Sequence, residues 1–385
     1  MFLDKTVERN GNLVEFAFDA HRQGLILPDS YMVDVDTFTS NASMILDAAR
    51  AKGFSLFYML KQLGRNPYLA TILDDMGYDG AVVVDFREAA VMMDAGVRIG
   101  NVGHLVQIPD SMIGDVVTYG VDNITLYSLE KAARIDQEAR RAGIVQSVLI
   151  RVTGEGDMIY SGQTAGFDIA SLPSVVHELE GMRNLRIAGV TSFPCYLYDS
   201  EAGDIMPTGN LKTVLEAAAM LESMGHGDLM VNTPSTTCTR TISMMAELGG
   251  NCGEPGHGLT GTTPLHAVSD QAERPCVVYL SEVSHRFGGL TYAYGGGHYR
   301  RSHVSSALVG SSLESAVKAH VVPPSDESID YHFGLETDAE VGQGVVMAFR
   351  YQIFVTRSDV VLVKGLSCGR PEIVGVYDAL GRRRV

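Results

Sequence analysis

Tryptophan is absent from this 385-residue chain, and basic residues are few: 30 Lys and Arg stand against 46 Asp and Glu, a formal charge of -16. No basic tract appears, so a nucleic-acid partner, which normally meets a basic face, is not expected. Net charge does not exclude a small anionic substrate, because a site can be locally positive. No uninterrupted apolar run reaches the roughly 18 residues that a membrane span needs, so no membrane partner is expected. The stretch Met1 to Arg9 carries early acids and no apolar core, and a secretory leader is not expected there. Cysteine is sparse. Cys195, Cys238, Cys252, Cys276 and Cys368 are scattered, odd in number and without zinc-motif spacing, which fits a reducing cytoplasm. His104 and His257 lack the paired spacing of metal ligands, so no metal is expected and a metal-dependent barrel hydrolase is disfavoured. No early Gly-x-Gly-x-x-Gly follows the first strand, which argues against an open dinucleotide-binding sheet.

What is present is a core-forming, ordered composition: 45 % apolar and only 20 % charged, with 41 glycines for tight loops. The length allows two domains. From Tyr31 onward short apolar segments alternate with helical patterns. Strands are expected at Tyr31–Asp36, Phe54–Leu60, Gly80–Asp85, Asn101–Val106, Asn123–Tyr127, Ser147–Val152, Ile187–Ser192 and Leu229–Asn232. Helices are expected between them, among them Thr37–Lys52, Leu129–Ala142 and Leu211–Ser223. Strands without strict polar alternation are buried on both faces. About eight βα units over roughly 240 residues predict an α/β fold, a (β/α)8 TIM-type barrel. After Pro275 no long helix is found and strand candidates dominate, so a mostly β C-terminal domain is expected. The division is placed at 1–275 and 276–385.

The segment Phe54-Ser-Leu-Phe-Tyr-Met-Leu60 ends on Lys61, and Asn66-Pro67 opens the next helix. A lysine at the end of a buried strand loses solvation, which favours its neutral amine, and a neutral amine can attack a carbonyl to form a Schiff base. The same residue also reads as a lysine that snorkels to water. Barrel chemistry gathers at the C-terminal ends of strands. Asp85, His104, Arg151, Ser192, Asn232 and Glu254 all fall at or just beyond such ends and suggest a lined pocket, though some of them, Asp85 first, also read as residues that merely close a strand. The loop Asn232-Thr-Pro-Ser235-Thr236-Thr-Cys-Thr239 brings hydroxyls and helix-start amides that suit a phosphate, or an ordinary helix cap. In Glu254-Pro255-Gly256-His257 the proline fixes the backbone after the acid and the glycine permits close approach of a ligand.

Together, the Lys61 segment, the barrel pattern, the late Glu254-Pro255-Gly256 turn and the trailing β domain resemble the alanine-racemase-like, or fold-type III, pyridoxal-phosphate enzymes. Overall the chain is most similar to the YhfX-like group of predicted amino-acid racemases. The resemblance implies pyridoxal 5'-phosphate as cofactor, with Lys61 in Met59-Leu-Lys-Gln62 as its Schiff-base lysine. It implies that Glu254 faces the pyridine nitrogen, as in the Glu-Pro-Gly-Arg motif of the decarboxylase branch, and that the loop helps hold the phosphate. This chain has His257 where those decarboxylases place Arg, so backbone amides with Ser235 or Thr236 are expected to carry more of the phosphate. The segment Gly365-Leu-Ser-Cys368-Gly-Arg370 resembles the late cysteine loop of the decarboxylases, where the cysteine comes from the partner subunit of a dimer. A homodimer is therefore implied.

The activity implied is racemisation of an amino acid, with Lys61 taking the Cα proton on one face and a second group acting on the other. Candidates for that group are Cys368, His104, His298 and Tyr299, the last two in Tyr292-Ala-Tyr-Gly-Gly-Gly-His-Tyr-Arg-Arg301, whose arginines suit a substrate carboxylate. Alternatives are an amino-acid decarboxylase and a non-catalytic pyridoxal-phosphate-binding protein. Which bond to Cα breaks is a matter of geometry that sequence does not carry.

Overall fold

The structure is a computed structural model that describes residues 2–384. It divides into two compact units: Met1–Ala42 with Lys61–Asn66 and His257–Val385, and Ser43–Leu60 with Pro67–Gly256.

The second of these is the barrel. Eight parallel strands lie in the order Ser55–Leu56, Cys252–Gly253, Met230–Asn232, Leu185–Thr191, Gln146–Thr153, Asn123–Leu126, Ile99–Val102 and Ala81–Val82. A parallel bridge between Tyr58 and Ala81 brings the two ends of the sheet together. Seven helices connect successive strands: Pro67–Asp75, Phe86–Asp94, Asp110–Tyr119, Leu129–Ala142, Leu172–Glu180, Gly209–Ser223 and Thr239–Glu247. Their ends follow local chemistry. Ser128 accepts from Lys131 N to start Leu129–Ala142, and Gly143, at φ +70°, ends it. The strand segments Ile99–Val102 and Asn123–Leu126 are buried at every residue, as strands covered on both faces must be.

The expected (β/α)8 fold is therefore present, with one exchange of strands. Ser30–Asp34 is a strand where one was expected, but it runs parallel to Asp359–Lys364 and antiparallel to Val277–Phe287 in the other unit's sheet. The eighth barrel strand is instead Cys252–Gly253, inside the glycine-rich loop. Two residues are too few to show any periodicity, and a strand buried at all five positions suits the middle of either sheet.

The first unit is a nine-stranded sheet. Six of its strands close on themselves: Leu290–Tyr294, His332–Glu336, Val317–Val322, Ser306–Gly310, Gly344–Met347 and Val277–Phe287, the last pairing again with the first. Ser30–Asp34, Asp359–Lys364 and Glu372–Tyr377 extend it. This is the β domain expected after residue 275, and beyond that point the described residues hold 3-10 turns but no α-helix. The helix Gly11–Arg22 lays Leu13, Val14, Ala17 and Phe18 against Met32, Val278, Leu280, Val346 and Val361 to form its core.

Candidate active site

In the barrel, the polar residues expected at strand ends converge on Glu254. Asn232 ends its strand with a fully buried side chain, and both its amide hydrogens are used: Nδ2 donates to Glu254 Oε1 at 2.8 Å and to Thr191 Oγ1 at 3.2 Å. Glu254 itself is 9 % exposed. Its amide donates to Thr237 Oγ1 at 3.1 Å, and His104 Nε2 stands 4.0 Å from its Oε2. The His104 ring meets Phe193 edge-on at 5.9 Å. Arg151, buried within Gln146–Thr153, donates from Nη1 to His104 O at 2.8 Å and from Nη2 to Gln163 O at 3.2 Å. Burial lowers its pKa while Tyr127 and Glu254 oppose that shift, and an arginine in such a place keeps its charge. The neighbouring thiols of Cys195 and Cys252 are pushed up by burial first and by the charge of Glu254 second, so both stay protonated.

Ser192 lies just beyond its strand and accepts from Asn210 Nδ2 at 3.2 Å. Ser235 and Thr236 adopt φ +112° and +54°, sparsely populated values for non-glycine residues, in the loop ahead of Thr239–Glu247. Successive residues of this kind turn their amides to one side, a shape that suits an anion. Their hydroxyls lie 3.4 Å apart, and Thr236 Oγ1 donates to Tyr196 O at 3.3 Å. Gly256 follows Glu254 and Pro255. The carboxylate of Asp85 accepts from Arg87 N and Glu88 N and caps Phe86–Asp94.

In the other unit Lys61 opens the 3-10 turn Lys61–Leu63, and the Arg65 guanidinium lies 5.3 Å over the Phe354 ring. His257 belongs here. Its Nδ1 lies 2.9 Å from Thr262 Oγ1 and its Nε2 lies 3.2 Å from Gln352 Nε2, contacts that the neutral ring with its proton on Nδ1 satisfies. Burial, then the charges of Arg350 and Lys61, hold its pKa well below the usual histidine range. Tyr351 covers the ring edge-on at 5.8 Å. His298 is half-buried against Phe333, and Tyr299 O accepts from Ser302 N at 2.8 Å. Cys368 is exposed in the turn Leu366–Cys368, with Sγ donating to Gly365 O at 3.3 Å.

Sequence reading missed Thr191, Gln352 and Arg350. Thr191 precedes Ser192 at the same strand end, and counting both residues there would have found it. Gln352 and Arg350 lie beyond a short β segment and reach His257 only through the fold. Asn232 Oδ1 and Arg151 Nε are among the buried polar atoms of the barrel with no hydrogen-bond partner among the described residues. Buried polar atoms are nearly always paired, so these mark where a ligand's polar groups or water would go. A buried, oriented carboxylate, a phosphate-shaped loop and orphaned polar atoms make a donor set that fits a charged heteroaromatic cofactor.

The comparisons with known proteins agree with this fold. The alanine racemase N-terminal domain model matches residues 33–264, and the YhfX-like C-terminal domain model matches residues 278–373. The uncharacterized protein YhfX of Escherichia coli K12 is 43 % identical over 382 residues, 99 % of each chain. Among solved structures, alanine racemase from Bacillus anthracis is similar at TM-score 0.65 and 17 % identity, covering 92 % of this chain and 99 % of that one. D-threonine aldolase from Filomicrobium marinum is similar at TM-score 0.62 and 15 % identity, covering 92 % and 95 %. A barrel of this topology, followed by this β domain and matched along nearly its whole length, belongs to the alanine racemase N-terminal domain family, in the branch that carries a YhfX-like C-terminal domain.

Proposed function

We propose that the chain is a pyridoxal-phosphate-dependent racemase that interconverts the enantiomers of an amino acid. The observation that carries the reading is Glu254: a buried carboxylate at a barrel strand end, oriented by Asn232 at 2.8 Å. Beside a pyridine nitrogen it would keep that nitrogen protonated. When bound, the cofactor supplies an electron sink for charge developing at the substrate Cα. Lys61 Nζ is the amine that would hold the cofactor and, once released, take or return the Cα proton on one face. The neutral ring of His257 beside it adds no competing charge. Cys368, His298 and Tyr299 are the candidates for the other face. The loop amides and hydroxyls of Ser235 and Thr236 would carry the phosphate, with Gly256 allowing close approach. Five scattered cysteines and the acidic balance support a cytoplasmic protein, and the exposed Cys368 loop supports a homodimer that shares its sites.

The test starts from protein purified with pyridoxal phosphate. A visible band should appear, vanish on borohydride reduction, and leave the label on the peptide containing Lys61. Lys61→Ala should fold and lack the band; a reducible band in that variant would sink the assignment. A panel of amino acids then separates the reactions. Cα deuterium exchange with loss of optical rotation supports racemisation, whereas carbon dioxide release or carbon–carbon cleavage without it would replace that reading.

A further inference from the structure

Beyond the strand Leu290–Tyr294 the chain runs through Gly295-Gly296-Gly297 to His298, and the surroundings leave no room for a side chain at any of the three glycines. A Cβ would lie 2.2 Å from Asp330 O at Gly295, 1.9 Å from Asp29 Oδ2 at Gly296 and 2.4 Å from the Tyr279 ring at Gly297. Gly296 also takes φ +131°, a conformation that other residues rarely adopt. The backbone is tied down as tightly as it is packed. One oxygen of Asp330, Oδ2, accepts from both Gly296 N at 3.1 Å and His298 N at 2.8 Å. Arg357 Nη1 donates to the other, Oδ1, at 3.0 Å, and Arg357 N donates to Gly296 O at 3.1 Å. Gly295 N donates to Tyr331 O at 2.8 Å, and the buried Tyr31 hydroxyl donates to Gly297 O at 2.5 Å. Asp29, which accepts from Tyr279 and Ser358, forms the wall behind Gly296.

The residue this clamp presents is not finished as a packing residue. The His298 ring meets Phe333 edge-on at 5.9 Å, but its Nδ1 is buried without a hydrogen-bond partner among the described residues. The side chain is nonetheless partly exposed, so its accessible part lies away from Nδ1. A histidine kept for packing alone would pair such an atom. The opposite occurs here: the backbone is held by several bonds while a buried ring nitrogen is left unpaired among the described residues. Burial lowers the His298 pKa, and the charges of Asp330 and Asp326 work against that shift.

We propose that Asp330 is a positioning residue, whose carboxylate fixes the Gly295–Gly297 turn and so sets His298 as the proton-transfer group opposite Lys61. The proposal rests on the racemase reading above and deepens it. In one direction the protonated His298 ring gives its N–H proton to Cα, forming the new C–H bond and leaving a neutral imidazole, while Lys61 Nζ holds the proton removed from the other face. In the reverse direction the two exchange these parts. Arg357 balances the charge of Asp330, Arg300 Nη2 donates to Asp326 O, and Asp29 and Asp326 are the remaining carboxylates around the turn.

The test compares Asp330→Asn, Asp330→Ala and Asp330→Glu with the parent protein loaded with pyridoxal phosphate. Asp330→Ala removes hydrogen bonds to a charged acceptor, each worth roughly tenfold to a hundredfold in an opening equilibrium, so amide exchange over Gly296–His298 should speed by at least about tenfold. Asp330→Asn keeps the shape and guards against loss of folding. In it His298, followed by NMR of labelled imidazole, should titrate at lower pH than in the parent, and kcat should fall with KM nearly unchanged. Asp330→Glu should restore part of both. Unchanged exchange and an unchanged His298 titration would overturn the clamp. A released turn with parental kcat would overturn the role of His298. A parent protein with no Lys61-linked band and no Cα exchange would overturn the racemase reading and the proton-transfer role with it, and the exchange and titration measurements would still decide the clamp.

Discussion

The contact between Asn232 and Glu254 can be weighed by a double-mutant cycle of Asn232→Ala, Glu254→Ala and both together. Asn232 is fully buried and Glu254 is 9 % exposed, and the donor–acceptor distance is 2.8 Å. An exposed ion pair contributes about 0.2–1 kcal/mol, but a hydrogen bond to a buried charged group is worth roughly 1.5–3 kcal/mol. Burial places this pair in the second class. Each single change removes more than the pair: Asn232→Ala also takes Nδ2 from Thr191 Oγ1, 3.2 Å away, and Glu254→Ala takes the carboxylate from His104, 4.0 Å away. Those losses cancel in the cycle, leaving a coupling energy of about 1.5–3 kcal/mol. With no tryptophan in the chain, urea unfolding is best followed by far-ultraviolet circular dichroism. A coupling below about 0.5 kcal/mol would mean that the carboxylate is solvated or turned away, and the argument that Glu254 is fixed for a cofactor ring would fail.

Asp29 gives a pH-dependent expectation. Burial raises its pKa to about 6, against the hydrogen bonds from Ser358 and Tyr279 that lower it. The native state therefore binds an extra proton between about pH 4 and 6, and stability falls as pH rises through that window, by about 3 kcal/mol at most. Asp29→Asn should flatten this part of the stability profile in urea unfolding from pH 4 to 7; an unchanged slope would refute the assignment. Cys368 is exposed while the other four cysteines are buried, so in the folded, dissociated chain a maleimide should add rapidly to one thiol, on the Cys368 peptide. A second fast adduct would contradict the fold around the buried thiols. Slow labelling of Cys368 in an intact oligomer, with fast labelling on dilution, would place its loop in a subunit interface as the dimer reading requires.

What was legible in the sequence was what local chemistry decides. Leu129–Ala142 was bounded to the residue because a serine cap and a left-handed glycine bracket it. The polar strand ends were legible as a set, and Asn232, Glu254, His104 and Arg151 do meet. The expected strand Phe54–Leu60 is regular only over Ser55–Leu56. Beyond it Phe57 N donates to Gly253 O, Tyr58 N to Gly80 O and Met59 N to Pro255 O, so the backbone stays bonded on both sides without regular pairing. Apolar composition signals burial, which held, but not ladder regularity. The partners of Ser30–Asp34 were not legible, because pairing with Asp359–Lys364 spans the whole chain and leaves no mark on five buried residues.

His257 shows how one residue type changes the electrostatics of a motif. At the matching place the decarboxylase branch carries Arg, which keeps its charge wherever it is buried. Here the ring contacts Thr262 through Nδ1 and Gln352 through Nε2, and the charges of Arg350 and Lys61 make a further cation there unfavourable. A neutral ring cannot balance a phosphate, so under the proposed function that charge would fall to amides and hydroxyls such as those of Ser235 and Thr236, whose left-handed backbone is strained without some compensating interaction. The same neutrality acts on Lys61. An arginine in place of His257 would add a permanent cation; the histidine adds none, and Arg350, whose amide donates to Ser302 O, is the permanent cation that acts on the ring together with Lys61.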